Sequence, residues 1–233
     1  MPAATPLAPT TLVTGDEELL VSRAVAEVVA AARERDPQVE VSDRAPGEFG
    51  DGDMLDLSSP SMFGGLRVVV VRAAQDLPDP LRDALVAYAG RPLPDVVLVV
   101  VHTGARNKKL VDALKVAGAR VVSAARVTRP KDRQQFVVAE VRRRGGRVTD
   151  AAARALVDAV GSELRELAAV CHQLVADTGG VVDETAVARY HRGRAETTGF
   201  AVADAAIAGD LGQALTLLRQ ALDRGTAPVL VCS

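Results

Sequence analysis

The sequence predicts an α/β domain with a parallel sheet, followed by an all-helical region. Two observations indicate this division. Short valine-rich segments, such as 67–72 and 96–101, alternate with helical stretches through the first half of the chain. Continuous apolar segments of this kind are typical of strands that helices cover on both faces, as in a parallel sheet. After residue 128 these segments disappear and helical patterns remain.

The first half contains five predicted strands and four predicted helices in strict alternation. The strands are expected at 11–14, 39–42, 67–72, 96–101 and 120–123. Three helices are expected at 17–35, 77–89 and 107–118, and a fourth has to lie between the second and third strands. The first helix has apolar residues at helical spacing, namely Leu20, Ala24, Val28 and Ala31.

The second half contains six predicted helices, separated by glycine or polar breaks. They are expected at 132–144, 150–160, 162–176, 184–190, 200–208 and 211–222. The third of these has an apolar stripe formed by Leu164, Leu167, Cys171 and Leu174. The doublets Gly145-Gly146 and Gly179-Gly180 predict turns. The chain stops at Ser233, where a further helix is expected to continue, which suggests a truncated protein.

Composition and charge exclude several functional classes. The 233 residues are 48% hydrophobic and 25% charged, which is ordinary for one large or two modest globular domains. The 28 basic and 30 acidic residues nearly cancel, so we do not expect a protein that grips phosphates over its whole surface. With no Trp, four Phe and two Tyr, base-stacking platforms are also unexpected.

Cysteine, histidine and hydropathy patterns predict a soluble cytoplasmic protein without a metal. The two cysteines, Cys171 and Cys232, are too few for a disulfide framework and indicate a reducing compartment. The adjacent pair Cys171-His172 lacks the spacing and the second ligand pair of a zinc site. The N-terminus has no signal-peptide pattern, and no apolar segment approaches the roughly 20 residues that span a bilayer.

The first strand-to-helix turn is where an α/β nucleotide-binding protein places its phosphate loop. Such a loop needs several glycines, a Lys and a Ser or Thr for magnesium. The turn at 14–20 instead has one glycine, no Lys and three carboxylates, Asp16, Glu17 and Glu18. The strand at 67–72 ends in Arg72 rather than in a magnesium-binding Asp. We therefore expect no cofactor, no intrinsic ATPase and no catalytic residues.

The acidic turn itself has two interpretations. A receiver domain holds magnesium and accepts a phosphoryl group at such a cluster, but it also needs a later Asp and a Lys at strand ends. Neither residue is present after the strands at 67–72 and 120–123. We favour the second interpretation, in which Asp16 and Glu17 cap the N-terminus of the first helix.

The segment 57–67 contains a methionine and a phenylalanine outside any apolar period. Met62 and Phe63 directly precede Gly64-Gly65, and two interpretations are open. The pair is either an exposed plug for a partner's pocket or part of the core that folds back onto the sheet. As a plug, the two side chains would contribute on the order of 3–6 kcal/mol before entropic losses.

The segment 126–147 is basic, with eight basic and two acidic residues. The basic residues are Arg126, Arg129, Lys131, Arg133, Arg142, Arg143, Arg144 and Arg147. They form either a surface that faces nucleic acid or a partner, or an ordinary solvated helix face.

Taken in order, these segments resemble the delta subunit of the bacterial DNA polymerase III clamp loader. The similarity runs from about Leu12 to Leu230. It rests on the segments 12–20, 61–70, 95–99, 161–174 and 200–228, with Glu163 where the family usually has Asp. The resemblance implies a RecA/AAA+-like domain with a degenerate nucleotide site at 9–128. It further implies a helical lid domain at 129–195 and the beginning of a helical collar domain at 196–233.

The resemblance also implies a function. Delta subunits bind no ATP; they hold the β sliding clamp and stabilise its opened ring, within a pentamer that contains gamma or tau and delta prime subunits. By position, Met62 and Phe63 would be the hydrophobic wedge that enters the clamp, with Ser61 and Leu66 beside it. The family usually has Leu where Met62 stands, which is a volume-conserving difference.

Two rival functions remain open, and the chain differs from the family in one respect. One rival is a DNA-binding module that acts through Arg126, Arg129, Lys131, Arg142, Arg143 and Arg144; the other is a nucleotide-hydrolysing enzyme. A delta-type chain alone should bind DNA only weakly. The family's collar extends about a hundred residues past position 200, whereas about 35 remain here, so the resemblance predicts poor assembly into a loader.

Overall fold

The computed structural model describes residues 7–44, 47–59, 64–104, 106–195 and 199–223. Its contacts divide the chain into two units, Met1–Arg126 and Val127–Ser233. The expected lid and collar domains both fall in the second unit, and the division between them stays a prediction.

The first unit is built on a sheet of five parallel strands. The strands are β1 (Thr10–Thr14), β2 (Glu40–Arg44), β3 (Arg67–Val71), β4 (Val96–His102) and β5 (Arg120–Ser123). Their order across the sheet is β2-β3-β4-β1-β5. All four neighbouring pairs are parallel, and Thr14 at the end of β1 pairs with His102 on one side and Ser123 on the other. The predicted parallel sheet is confirmed.

Helices cover both faces of this sheet. They are α1 (Glu18–Arg35), α2 (Asp51–Ser58), α3 (Asp79–Ala89) and α4 (Lys108–Val116), with a short 3-10 turn at Ala74–Asp76. Because strand side chains alternate between faces, Val97 and Val99 of β4 pack with α1, whereas Leu98 and Val100 pack with the other three helices. Every residue of β4 is buried, as its unbroken apolar sequence predicts.

The second unit is predominantly helical. Its helices are α5 (Pro130–Arg143), α6 (Asp150–Val160), α7 (Leu164–Thr178), α8 (Glu184–Ala195), α9 (Gly199–Ile207) and α10 (Leu211–Asp223). Helix α5 packs against α6 and α7, these two pack against α8, and α9 packs against α10. All six predicted helices are present, and the predicted stripe of α7 is buried.

The expectation that β structure ends at residue 128 is wrong in one place. Two short strands, β6 (Arg147–Val148) and β7 (Val181–Val182), form a parallel pair. The glycine doublets permit this pairing, because a Cβ on Gly146 would lie only 3.0 Å from the carbonyl oxygen of Gly180. The Arg147 amide donates to the same oxygen at 2.7 Å. Strands of two residues are too short to produce a recognisable period.

Two features are missing from the residues that the structure describes. None of their helices is long and apolar enough to cross a membrane. Nor do they bring together three or more His, Cys, Asp or Glu side chains in a group that could hold a metal ion.

Candidate functional site

The turn between β1 and α1 occupies the place of a phosphate loop, but its amides face protein carbonyl groups. The Gly15 amide donates to the carbonyl oxygen of His102, and the Glu17 amide donates to that of Ala124, each at 2.9 Å. In a phosphate loop such amides face phosphate oxygens. Here two of them are already satisfied within the protein.

The backbone that follows β5 fills the space beside this turn. A Cβ on Gly15 would lie 2.1 Å from both the carbonyl carbon and the carbonyl oxygen of Ala124, and 2.4 Å from the Ala125 nitrogen. Gly15 also has a φ of +134°, a conformation that other residues rarely adopt. The turn is therefore closed by main chain, and no side chain can be added at this position without displacing it.

The carboxylates of this turn do not cap α1 as expected. Glu17 stands at the N-cap position, and its carbonyl oxygen accepts from the Val21 amide, but its side chain makes no capping hydrogen bond. The Asp16 carboxylate is 3.0 Å from Arg126 Nε. The capping prediction is therefore wrong for both side chains, because Arg126 holds Asp16 and Glu is a poorer N-cap residue than Asp.

Two buried polar side chains, His102 and Gln75, lie beside this turn, at the carboxyl ends of β3 and β4. His102 is fully buried, and its Nδ1 accepts from the Gly104 amide at 2.8 Å. The Gln75 side chain accepts from the Thr103 amide at 3.2 Å, and the Gln75 carbonyl oxygen accepts from Asn107 Nδ2 at 2.5 Å. The two bonds of Gln75 link the segment that follows β3 to the segment that follows β4.

Burial lowers the pKa of His102, and the nearby Asn107 backbone and the charge of Asp76 partly oppose this effect. The sequence carries one signal for this residue, since His102 directly follows the apolar run of β4. Gln75 had no comparable signal.

The proposed clamp-binding residues lie between α2 and β3. Ser61, Met62 and Phe63 fall outside the described residues. Leu66 is described, and it is only 6% exposed because it packs in the core beneath α1. On α2 itself, Leu55 is 69% exposed.

Arg67, the first residue of β3, closes the C-terminal end of α2. Its Nη1 donates to the Asp56 carbonyl oxygen at 3.1 Å, and its Nη2 donates to that of Ser59 at 2.6 Å. Two serine hydroxyls complete the end, Ser58 donating to the Met54 carbonyl oxygen and Ser59 to that of Leu55. The Ser59 amide also donates to the Asp56 carbonyl oxygen at 3.2 Å, so side-chain and backbone donors together close this end of the helix.

Asp36 holds the other side of the same connection. Its Oδ2 accepts from the Leu66 amide at 2.8 Å, and its Oδ1 accepts from the Gln38 amide at 2.9 Å. These two backbone hydrogen bonds, with that from Leu66 the stronger, lower the pKa of the Asp36 carboxyl below its usual value.

A cavity of about 130 Å³ lies between α2 and the strands β2 and β3. Its lining is mainly polar and of mixed charge. Two of the lining residues form an ion pair, with Arg44 Nε 2.9 Å from Asp53 Oδ1. The charged and polar lining residues are Glu40, Ser42, Arg44, Asp53, Asp56 and Arg67. Such a lining suits water better than an apolar ligand.

The basic residues of the segment 126–147 do not form one continuous stripe. Arg129 and Lys131 lie at the start of α5, whereas Arg142, Arg143 and Arg144 lie at its end, about 20 Å away along the helix axis. All five are exposed. Three cations at a helix C-terminus are also favoured by the helix dipole alone. Arg126 belongs to the first unit, where it pairs with Asp16.

No protein-family model matches the chain, and no curated protein matches it in sequence. Solved structures do match. The Thermotoga maritima Holliday junction branch migration motor RuvB matches at 16% identity with a TM-score of 0.46, over 78% of this chain and 61% of RuvB. A DNA polymerase III gamma subunit-related protein of Thermotoga maritima matches at 15% identity with a TM-score of 0.43, over 72% and 54%.

The DNA clamp loader delta protein of Bacillus subtilis matches over a larger part of the chain. The TM-score is 0.64 at 18% identity, and the match covers 97% of this chain and 70% of that protein. A likeness at this identity concerns the fold. The resemblance that the sequence predicted is confirmed at that level: the chain has the fold of a clamp-loader delta protein.

Proposed function

We propose that the chain is a non-catalytic, delta-type clamp-loader subunit that binds the β sliding clamp and stabilises its open form for loading onto primed DNA. The observation that carries this proposal is the fold match to the Bacillus subtilis delta protein over 97% of the chain. Its partners would be the clamp and the gamma or tau and delta prime type subunits of the loader.

The geometry of the β1–α1 turn supports a non-catalytic role. Two amides that a nucleotide phosphate would need donate instead to His102 and Ala124, and the Ala124 backbone contacts Gly15. A phosphate would have to displace main chain and approach the carboxylates of the turn. ATP hydrolysis would therefore be the task of other subunits.

The connection between α2 and β3 is the proposed clamp-binding element. Met62 and Phe63 would enter an apolar pocket of the clamp, with Ser61 beside them. Leu66 would contribute indirectly, because its side chain is buried in the core directly before β3.

The test is binding of the chain to the β sliding clamp from the same organism, measured by titration calorimetry without nucleotide. The double variant Met62→Ala/Phe63→Ala should bind at least about a hundredfold more weakly. Burial of the two side chains contributes on the order of 3–6 kcal/mol, and each 1.4 kcal/mol is about tenfold in affinity.

The control is Ile207→Ala/Leu211→Ala, which removes two exposed apolar side chains from the second unit and should leave clamp binding unchanged. Equal binding by the wild-type chain and the Met62/Phe63 variant would refute the wedge. No binding by the folded wild-type chain would refute the clamp-binding role.

The exposed arginines at the end of α5 favour a second candidate, a DNA-binding module. Arg142, Arg143 and Arg144 would then contact phosphates, and affinity for duplex DNA would fall steeply as salt increases. Replacing all three by Gln tests it: a delta-type chain should bind DNA weakly with or without them, whereas a DNA-binding module should lose tight, salt-sensitive binding.

A further inference from the structure

We draw no further inference here: the strongest candidate, the exposed apolar patch that Ile207, Leu211 and Leu215 form on the α9–α10 hairpin, carries nothing because no contact among the described residues shows what covers it.

Discussion

The β1–α1 turn and the α2–β3 connection lie at opposite edges of one sheet, and they are held in different ways. The turn follows the carboxyl end of β1, and its amides and its glycine meet the main chain at His102 and Ala124. The connection precedes the amino end of β3, and its ends are held by the side chains of Arg67 and Asp36.

Because of this difference, we expect substitutions in the turn to change stability and substitutions in the connection to change the proposed binding. In open α/β sheets, ligands usually bind at the carboxyl ends of the strands. Here that edge is closed at β1 by backbone hydrogen bonds, so a change in the turn should act on stability. A change of Met62 or Phe63 should act on the proposed clamp affinity, because these are the side chains proposed to contact the clamp.

The largest effect is expected for Gly15→Ala. The new Cβ would lie 2.1 Å from the Ala124 carbonyl group, and the φ of +134° is unfavourable for alanine. The main chain after β5 would have to move, and we expect a loss of at least about 3 kcal/mol in the free energy of unfolding, or failure to fold. Urea denaturation followed by circular dichroism measures the change.

Gly104→Ala is the matched control at the same edge of the sheet. Gly104 also has a positive φ, +83°, but nothing lies within 4 Å of an added Cβ. Only backbone strain remains, so the expected loss is about 1–2 kcal/mol. Similar losses in the two variants would show that the backbone contact at Ala124 does not close the turn as described.

An intermediate effect is expected for His102, and it depends on pH. Its folded-state pKa is lowered by burial, so the unfolded chain takes up a proton at a higher pH than the folded chain does. The stabilising contribution is complete above the ordinary histidine pKa and is lost as pH falls below it, by at most about 1.4 kcal/mol per pH unit. Protonation of Nδ1 would also break its bond with the Gly104 amide.

The measurement is the free energy of unfolding of wild type and of His102→Gln between pH 8 and pH 5.5. The variant should be less stable at pH 8, and the difference from wild type should shrink as pH falls. A constant difference across this range would mean that the edge beside the turn is insensitive to protonation of His102.

Much of the fold follows from local sequence patterns. The valine runs of β3 and β4, the periodicity of α1 and the stripe of α7 predict elements within a few residues of their observed ends, because burial on a defined face requires those patterns. The pair β6 and β7 escaped prediction, since two residues give no period and the pairing depends on the close approach of Gly146 and Gly180.

The contacts of the candidate sites were less accessible to prediction. Thr14–Leu20 was recognisable as a degenerate phosphate loop because specific residues are missing from it. The contacts of Asp36 and Arg67 were not predicted, since Asp36 accepts from a residue 30 positions away and Arg67 donates to main-chain atoms of another element. Met62 and Phe63 as the wedge stay a prediction.

The smallest effect is expected for the ion pair between Asp16 and Arg126, which lies on the surface of the turn. Both side chains are substantially exposed, 47% and 69%, so water and salt weaken their attraction. Asp16→Asn should lower the free energy of unfolding by less than about 1 kcal/mol, and 1 M salt should abolish the difference from wild type. Urea denaturation at low and high salt measures both. A loss approaching that of Gly15→Ala would assign closure of the turn to this side-chain pair, and the contrast between a turn held by main chain and a connection held by side chains would then no longer stand.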